Sequence, residues 1–319
     1  MINKNTEPAK LVTYNRDGLI EREHFGYIVR CDRIHVAEKV GEDKNYPFYM
    51  RSCAKPLQAA LLIDYELDKK FNMTDTEIAI CSASHAGEKV HVEIVQGLLE
   101  KFEISPDKLK CGIHEPVSRS AQDDLLLQGE KSTALHNNCS GKHAMMLGLC
   151  KINDWDMDNY DNINHPLQKE IKNKIYELCE VKTDYPVTKD GCGVPIYSMP
   201  LENMVKGYLN LFCNPKYERI KNAFLNNPYI IGGENRTDTK IIENSTGLIA
   251  KVGASGLCAV VNTELEEAFI VKICDTDMTA REFVTIDLIN NLHWAKIDIS
   301  HDIKTHTNEI IGEIKTLLK

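Results

Sequence analysis

The 319-residue chain has no run of lysine or arginine, only 7% aromatic residues with two tryptophans, and no uninterrupted apolar stretch near membrane-spanning length. Without a basic patch interleaved with aromatics, and with a net charge of −9, nucleic acid is not an expected partner. Without an apolar span, no membrane passage is expected. The first twenty residues also lack the basic start and apolar core of a secretory signal. A cytoplasmic location and a small-molecule substrate are therefore expected. Paired C-x-x-C spacing is missing as well. The eleven cysteines are odd in number and scattered, mostly within apolar runs such as Ile78-Ala79-Ile80-Cys81. That placement predicts small buried hydrophobes in a reducing compartment, not a disulfide framework.

No repeat, low-complexity tract or Pro/Gly/Ser linker interrupts the chain. Strands are predicted over residues 11–14, 19–29 and 33–40, the first two flanking the turn Asn15-Arg16-Asp17-Gly18. Residues 77–81 read as a short apolar strand. A small-residue loop over 82–88 then leads into a helix with Val90, Ile94, Leu98 and Phe102 on one stripe. Helices and loops fill residues 105–235, among them a helix opened by Pro166 and lined by Leu167, Ile171, Ile175 and Leu178. The acidic run Asp154-Trp155-Asp156-Met157-Asp158-Asn159 lacks the glycine and final carboxylate of a calcium loop and reads as a solvated loop. Strands return over 248–252, 257–262 and 268–273. Helices close the chain, one over 279–292 and a last one striped by Ile310, Ile311, Ile314, Leu317 and Leu318. This order predicts a single α/β domain with a mainly antiparallel sheet flanked by helices. Its sheet lobe draws on residues 1–50 and 236–319, and its helix-rich lobe on residues 51–235.

The stretch Arg51-Ser52-Cys53-Ala54-Lys55-Pro56 carries the main chemical signal. A serine and a lysine three positions apart share a face of a coiled backbone, so the amine can serve the hydroxyl as base. Lysine must lose roughly three pKa units to act near neutrality, which requires burial. Because Pro56 disfavours helical backbone before it, Ser52 to Lys55 is expected to form a tight turn at the mouth of a helix. A second copy of the spacing, Ser105-Pro106-Asp107-Lys108, reads as a helix N-cap followed by proline.

Further polar clusters stand apart from the predicted core. Ser84-His85 lies in a small-residue loop, where it either projects into a cleft or caps a helix. Asn137-Asn138-Cys139-Ser140-Gly141-Lys142-His143 is not a phosphate loop, since histidines occupy positions 136 and 143, where a glycine and a hydroxyl are needed. The loop Asp190-Gly191-Cys192-Gly193-Val194-Pro195 offers one thiol and one carboxylate. Cys139 and Cys192 are candidate zinc ligands, with Lys142, Asp190 or water completing the shell. Lys251 precedes Val252-Gly253, where a glycine lets a substrate lie against the backbone. Arg236 either clamps a substrate carboxylate or pairs with Asp238.

Together these motifs resemble the rhizobial-type, or class 3, L-asparaginase family, related in fold to serine β-lactamases. The resemblance runs over nearly the whole chain. It departs at Ser255, where a glutamate is expected before Gly256. It implies a serine β-lactamase-like fold and hydrolysis of L-asparagine to L-aspartate and ammonia, with a glutaminase, a β-lactam-type hydrolase or a non-catalytic binding protein as alternatives on the same scaffold. It implies two serine-lysine pairs, Ser52 with Lys55 and Ser84 with Lys251. Substrate contacts are expected from Arg51, His85, Asn138, Arg236 and Gly253. It further implies zinc at Cys139, Lys142 and Cys192, tuning affinity and not catalysing, no organic cofactor, and a homodimer.

Overall fold

The computed structural model describes residues 6–318. The chain opens with a hairpin of β1 (Ala9–Arg16) and β2 (Leu19–Cys31), turned by Asp17 and Gly18, both in the left-handed region. Two consecutive positive-φ residues match the right-handed twist of the strands they join. β3 (Val36–Val40) returns along the far half of β2. Three short strands follow, β4 (Phe48–Tyr49), β5 (Val187–Lys189) and β6 (Pro195–Met199), forming a small sheet in the order β4-β6-β5. The large sheet is completed by β7 (Leu248–Gly253), β8 (Leu257–Asn262), β9 (Glu267–Ile273), β10 (Asp302–Lys304) and β11 (Ile310–Thr316). Its order is β10-β11-β1-β2-β9-β8-β7, with β3 also on β2, and every pairing is antiparallel.

Every residue of β7 and β8 is buried, which explains their continuous apolar runs: both faces are covered. Helices Leu201–Phe212 and Met278–Asn291 pack against β8 and β9. Helix Lys55–Asp64 lies deep in the helical region, with residues 55–62 all buried. A helix apolar on every side has to be enclosed by others, and it packs against helices Asp75–Ser82, Ser140–Ile152, Pro166–Leu178 and Leu201–Phe212. Among the described residues, no helix is long and apolar enough to cross a membrane.

Three expectations are corrected. Residues 77–81 belong to a helix, Asp75–Ser82, opened by a capping box in which the Thr74 hydroxyl accepts from the Glu77 N–H and Glu77 accepts from the Thr74 N–H. That reciprocal pair sets the backbone helical regardless of the apolar run behind it. The final segment is the strand β11, paired with β1 from Val12↔Thr316 to Arg16↔Gly312. β-branched Ile310, Ile311, Ile314 and Thr316 suit that conformation. A Cβ on Gly312 would sit 2.2 Å from the Asn15 carbonyl oxygen, so only glycine permits the pairing there. In helix Lys89–Lys101 the buried stripe is His91, Val95, Leu98 and Leu99, turned from the expected one so that Val90 is exposed.

Candidate active site

Residues Arg51–Ala54 form one turn of 3-10 helix that runs directly into helix Lys55–Asp64, with Pro56 in its first turn. In a 3-10 turn, residues three apart eclipse, so Ser52 and Lys55 share a face as the spacing requires. The turn is pinned on several sides. The Met50 N–H donates to the Tyr197 carbonyl at 3.0 Å, the Cys53 N–H to the Met50 carbonyl at 3.1 Å, and the Tyr208 hydroxyl to the Cys53 carbonyl at 2.8 Å. Arg51 enters it with φ at 50°, a conformation costing a non-glycine residue about 1–3 kcal/mol. Its side chain is tied down by Nε donating to Asp190 Oδ1 at 2.9 Å and Nη1 donating to Ser255 Oγ at 3.1 Å.

Ser84 follows helix Asp75–Ser82 in an extended segment whose N–H donates to the Ile231 carbonyl at 3.0 Å. Its hydroxyl lies 3.1 Å from Lys55 Nζ and 2.9 Å from Lys251 Nζ. The expected Ser84–Lys251 contact is present, whereas Lys55 is bonded to Ser84 and not to Ser52, its expected partner. Lys55 also donates to the carbonyls of Ala83 at 2.6 Å and Asn138 at 2.8 Å. Lys251 donates to the Val252 carbonyl at 2.9 Å and faces Asp238 Oδ2 at 3.4 Å. The Ser52 hydroxyl, half-buried, makes no hydrogen bond among the described residues, and so stands open to an incoming group.

Burial dominates the electrostatics. Lys55 and Lys251 are both about fully enclosed, at 1% and 0% exposure. Burial pushes the Lys55 amine below its usual range, against the nearby Cys139 and with the Lys142 charge. Burial also lowers Lys251, to about 8, with Asp238 opposing and Lys55 assisting. Two like charges meeting at one hydroxyl are disfavoured, which adds to burial in lowering both amines.

The heptapeptide builds the rear wall. Asn137 Oδ1 accepts from the Cys139 N–H at 2.9 Å, while its Nδ2 donates to the Cys111 and Gly112 carbonyls. Helix Ser140–Ile152 starts immediately after. A Cβ on Gly141 would meet the Ile80 carbonyl oxygen at 2.2 Å, so this glycine lets two helices meet closely enough for Asn138 to reach Lys55. His85 is buried behind. Its Nδ1 accepts from the Gly87 N–H at 3.2 Å, which leaves Nε2 to donate to Ser140 Oγ at 2.9 Å. Burial, then His91, holds it well below the usual histidine range and hence neutral.

The zinc expectation at Cys139, Lys142 and Cys192 is overturned. Among the described residues, no three His, Cys, Asp or Glu side chains gather to hold a metal ion. Lys142 Nζ instead donates to Cys192 Sγ at 3.0 Å. Burial pulls the Lys142 amine down, but Cys192 and Cys139 outweigh it and leave it raised. Neighbouring Cys139 and the Lys142 charge hold Cys192 down at about 4 despite burial. The cluster is an internal ammonium-thiolate pair, and an ammonium has no lone pair to give a metal.

The remaining residues spread around this centre. Asn138 contributes its backbone carbonyl to Lys55, and its side-chain oxygen accepts from the Cys139 thiol at 3.3 Å. Gly253 ends β7 where a Cβ would stand 2.8 Å from Cys53 Sγ, bringing that strand end against the Ser52 turn. Arg236 precedes helix Thr237–Glu243, and its buried Nε has no partner among the described residues. It does not pair with Asp238, whose carboxylate faces Lys251. Asp190 and Ser255 serve as partners of Arg51, and Asp238 as the partner of Lys251, roles the sequence did not assign to them. The only signal was the Gly232-Gly233-Glu234-Asn235-Arg236-Thr237-Asp238 turn and the Asp190 loop themselves.

The family model described as L-asparaginase II matches residues 12–315. A search of curated proteins found no significant match. Among solved structures, a β-lactamase from Mycobacterium bovis is 10% identical with a TM-score of 0.43, covering 84% of this chain and 95% of that one. A Bacteroides dorei protein solved under the description of a β-lactamase gives the same identity and TM-score over 83% and 93% of the two chains.

Proposed function

Because the chain belongs to the L-asparaginase II family, we propose that it is an amidohydrolase releasing ammonia from the side-chain amide of L-asparagine, with Ser52 as nucleophile. The observation that carries this reading is the Ser84 hydroxyl set between two buried lysines, beside the turn that presents Ser52. Buried amines bonded to one hydroxyl, beside a turn that carries a second and unpaired hydroxyl, support nucleophilic catalysis.

Ser52 Oγ bonds to the amide carbon while its proton passes to the neutral Lys55 amine. Backbone N–H groups of Ser52 and of the strand near Gly253 hold the oxyanion, each worth about 3 kcal/mol. As the C–N bond breaks, the departing nitrogen takes the Ser84 hydroxyl proton, and Lys55 returns its own to Ser84. Ammonia leaves, and an ester on Ser52 remains. Water then attacks that ester and gives a proton to Lys55. The ester C–O bond breaks and Ser52 recovers its proton as L-aspartate departs. Arg51, Asn138, Arg236 and Gly253 shape the substrate side of this centre, and His85 supports it from behind through Ser140. By the same family resemblance we expect a homodimer, which sedimentation of the purified chain tests.

The test is ammonia release from L-asparagine and L-glutamine by the wild-type chain beside Ser52→Ala and Lys55→Ala. Turnover of L-asparagine that both substitutions abolish supports the reading. Undiminished turnover in Ser52→Ala sinks it.

A further inference from the structure

The two lysines that share Ser84 are not equivalent, and a carboxylate makes the difference. Lys55 Nζ has two carbonyl acceptors, Ala83 and Asn138, besides the Ser84 hydroxyl. A neutral amine has two N–H donors and one lone pair. All three partners are neutral, so nothing bonded to Lys55 compensates a charge on it, and an uncharged amine that donates to the two carbonyls and accepts the Ser84 O–H satisfies the same contacts. Lys251 Nζ meets three acceptors: Ser84 Oγ at 2.9 Å, the Val252 carbonyl at 2.9 Å and Asp238 Oδ2 at 3.4 Å. Those match the three N–H donors of an ammonium. One consistent direction follows, from Lys251 N–H to Ser84 Oγ, and from Ser84 O–H to Lys55.

We infer that Asp238 is a positioning residue that keeps Lys251 the charged member of the pair and so leaves Lys55 the base. The inference rests on the serine hydrolase reading of the same site. Asp238 is completely buried, as is Lys251, on the first turn of helix Thr237–Glu243, which packs against β7. Its Oδ2 also accepts from the Val252 N–H at 3.4 Å, and its Oδ1 has no partner among the described residues. An incompletely bonded buried carboxylate is costly unless a cation compensates it. The groups facing Lys251 are Asp238, Lys55, Cys53 and Arg236. Arg281 stands nearby on the Gly253 carbonyl and the Thr237 hydroxyl. Burial raises the Cys53 thiol to about 11, so it is neutral, and the two arginines and Lys55 disfavour a charge on Lys251. Asp238 is the one anion in that set. One carboxylate compensates one ammonium, and the other lysine is left to give up its proton.

The test has two readouts. In the first, kcat/KM for amide turnover is followed against pH in wild type, Asp238→Asn and Asp238→Glu. Asp238→Asn keeps the shape and removes the charge. Its alkaline limb should move about one pH unit or more toward acid, with kcat at pH 8 falling about tenfold and KM little changed. Asp238→Glu should restore most of both. In the second, the chain carrying Ser52→Ala is labelled with [ε-13C]lysine and titrated by NMR, the Lys251 signal being assigned by its loss in Lys251→Met. The Lys251 midpoint should fall in Asp238→Asn and stay near wild type in Asp238→Glu. Midpoints unmoved by Asp238→Asn overturn the inference even if amide turnover is confirmed. Should Asp238→Asn not fold, a Lys251 midpoint that falls a full unit in Asp238→Glu overturns it. Absence of turnover in wild type overturns the hydrolase reading alone, since the NMR titration still decides the role of Asp238.

Discussion

Ser84 Oγ lies within hydrogen-bond reach of both Lys55 Nζ, at 3.1 Å, and Lys251 Nζ, at 2.9 Å, so a single hydroxyl links two amines contributed by segments almost two hundred residues apart in sequence. Neither lysine can change charge without the other responding.

That coupling shapes the pH dependence. In the proposed mechanism Lys55 acts as a neutral amine, so kcat/KM should rise with pH as it loses its proton. Lys251 acts charged, and burial, opposed by Asp238, sets it at about 8. Activity should therefore fall above about pH 8. A bell with its descending limb near 8 is the expected profile for ammonia release. A plateau extending to pH 10 would contradict the assignment.

Arg51 occupies the left-handed region at φ 50°, held by Asp190 and Ser255. Glycine adopts that backbone without steric cost. Arg51→Gly should consequently be more stable than Arg51→Ala by about 1 kcal/mol, although both lose the same contacts. Urea denaturation of the two variants measures the difference. An alanine variant as stable as the glycine one would mean that the turn relaxes once the guanidinium is gone.

Gly141→Ala places a methyl where the Ile80 carbonyl oxygen is 2.2 Å away. Backbone cannot yield as a side-chain tip does, so the helices must separate. A loss of about 1–3 kcal/mol in stability is expected. Activity should drop further than the fraction unfolded explains, because the Asn138 carbonyl moves off Lys55. Circular dichroism and turnover on the same sample distinguish the two effects.

His143 is fully buried against the Tyr160 hydroxyl at 2.7 Å. Burial, then the Lys142 charge, takes its pKa from 6.5 to about 3. For a group depressed in the folded state, the stabilising contribution is complete above the unfolded value and is lost as pH falls toward the folded one. Between pH 6.5 and 5 it should cost about 2 kcal/mol. His143→Gln, which has no proton to gain there, should show an acid loss shallower by about that amount in urea titrations at pH 7 and 5.

What the sequence made legible was local. β8 appears over its predicted residues, and helix Pro166–Leu178 buries Leu167, Ile171, Ile175 and Leu178. The burial of Lys55 follows from the apolar run behind it, whereas Lys55 itself is helical although Pro56 disfavours that backbone before it. The Thr74-Asp75-Thr76-Glu77 capping box is a helix-start signal in the sequence that a reading based on the apolar run after it does not take up. The joining of both lysines at Ser84 depends on where Ala83, Asn138 and β7 come to rest, and no spacing along the chain encodes that. The metal expectation erred because thiols and a lysine side by side also form an ion pair, and only geometry separates those outcomes.

The pairing of β1 with β11, Val12 opposite Thr316, also governs when the molecule can be finished. A chain being synthesised holds β1 and β2 from the outset, yet the second edge of β1 has no partner until residues 310–316 exist. Until then it is an open ladder able to pair with any exposed strand. β11 closes the flank of β1, so a chain stopped short of Ile310 leaves an edge made long before it unprotected.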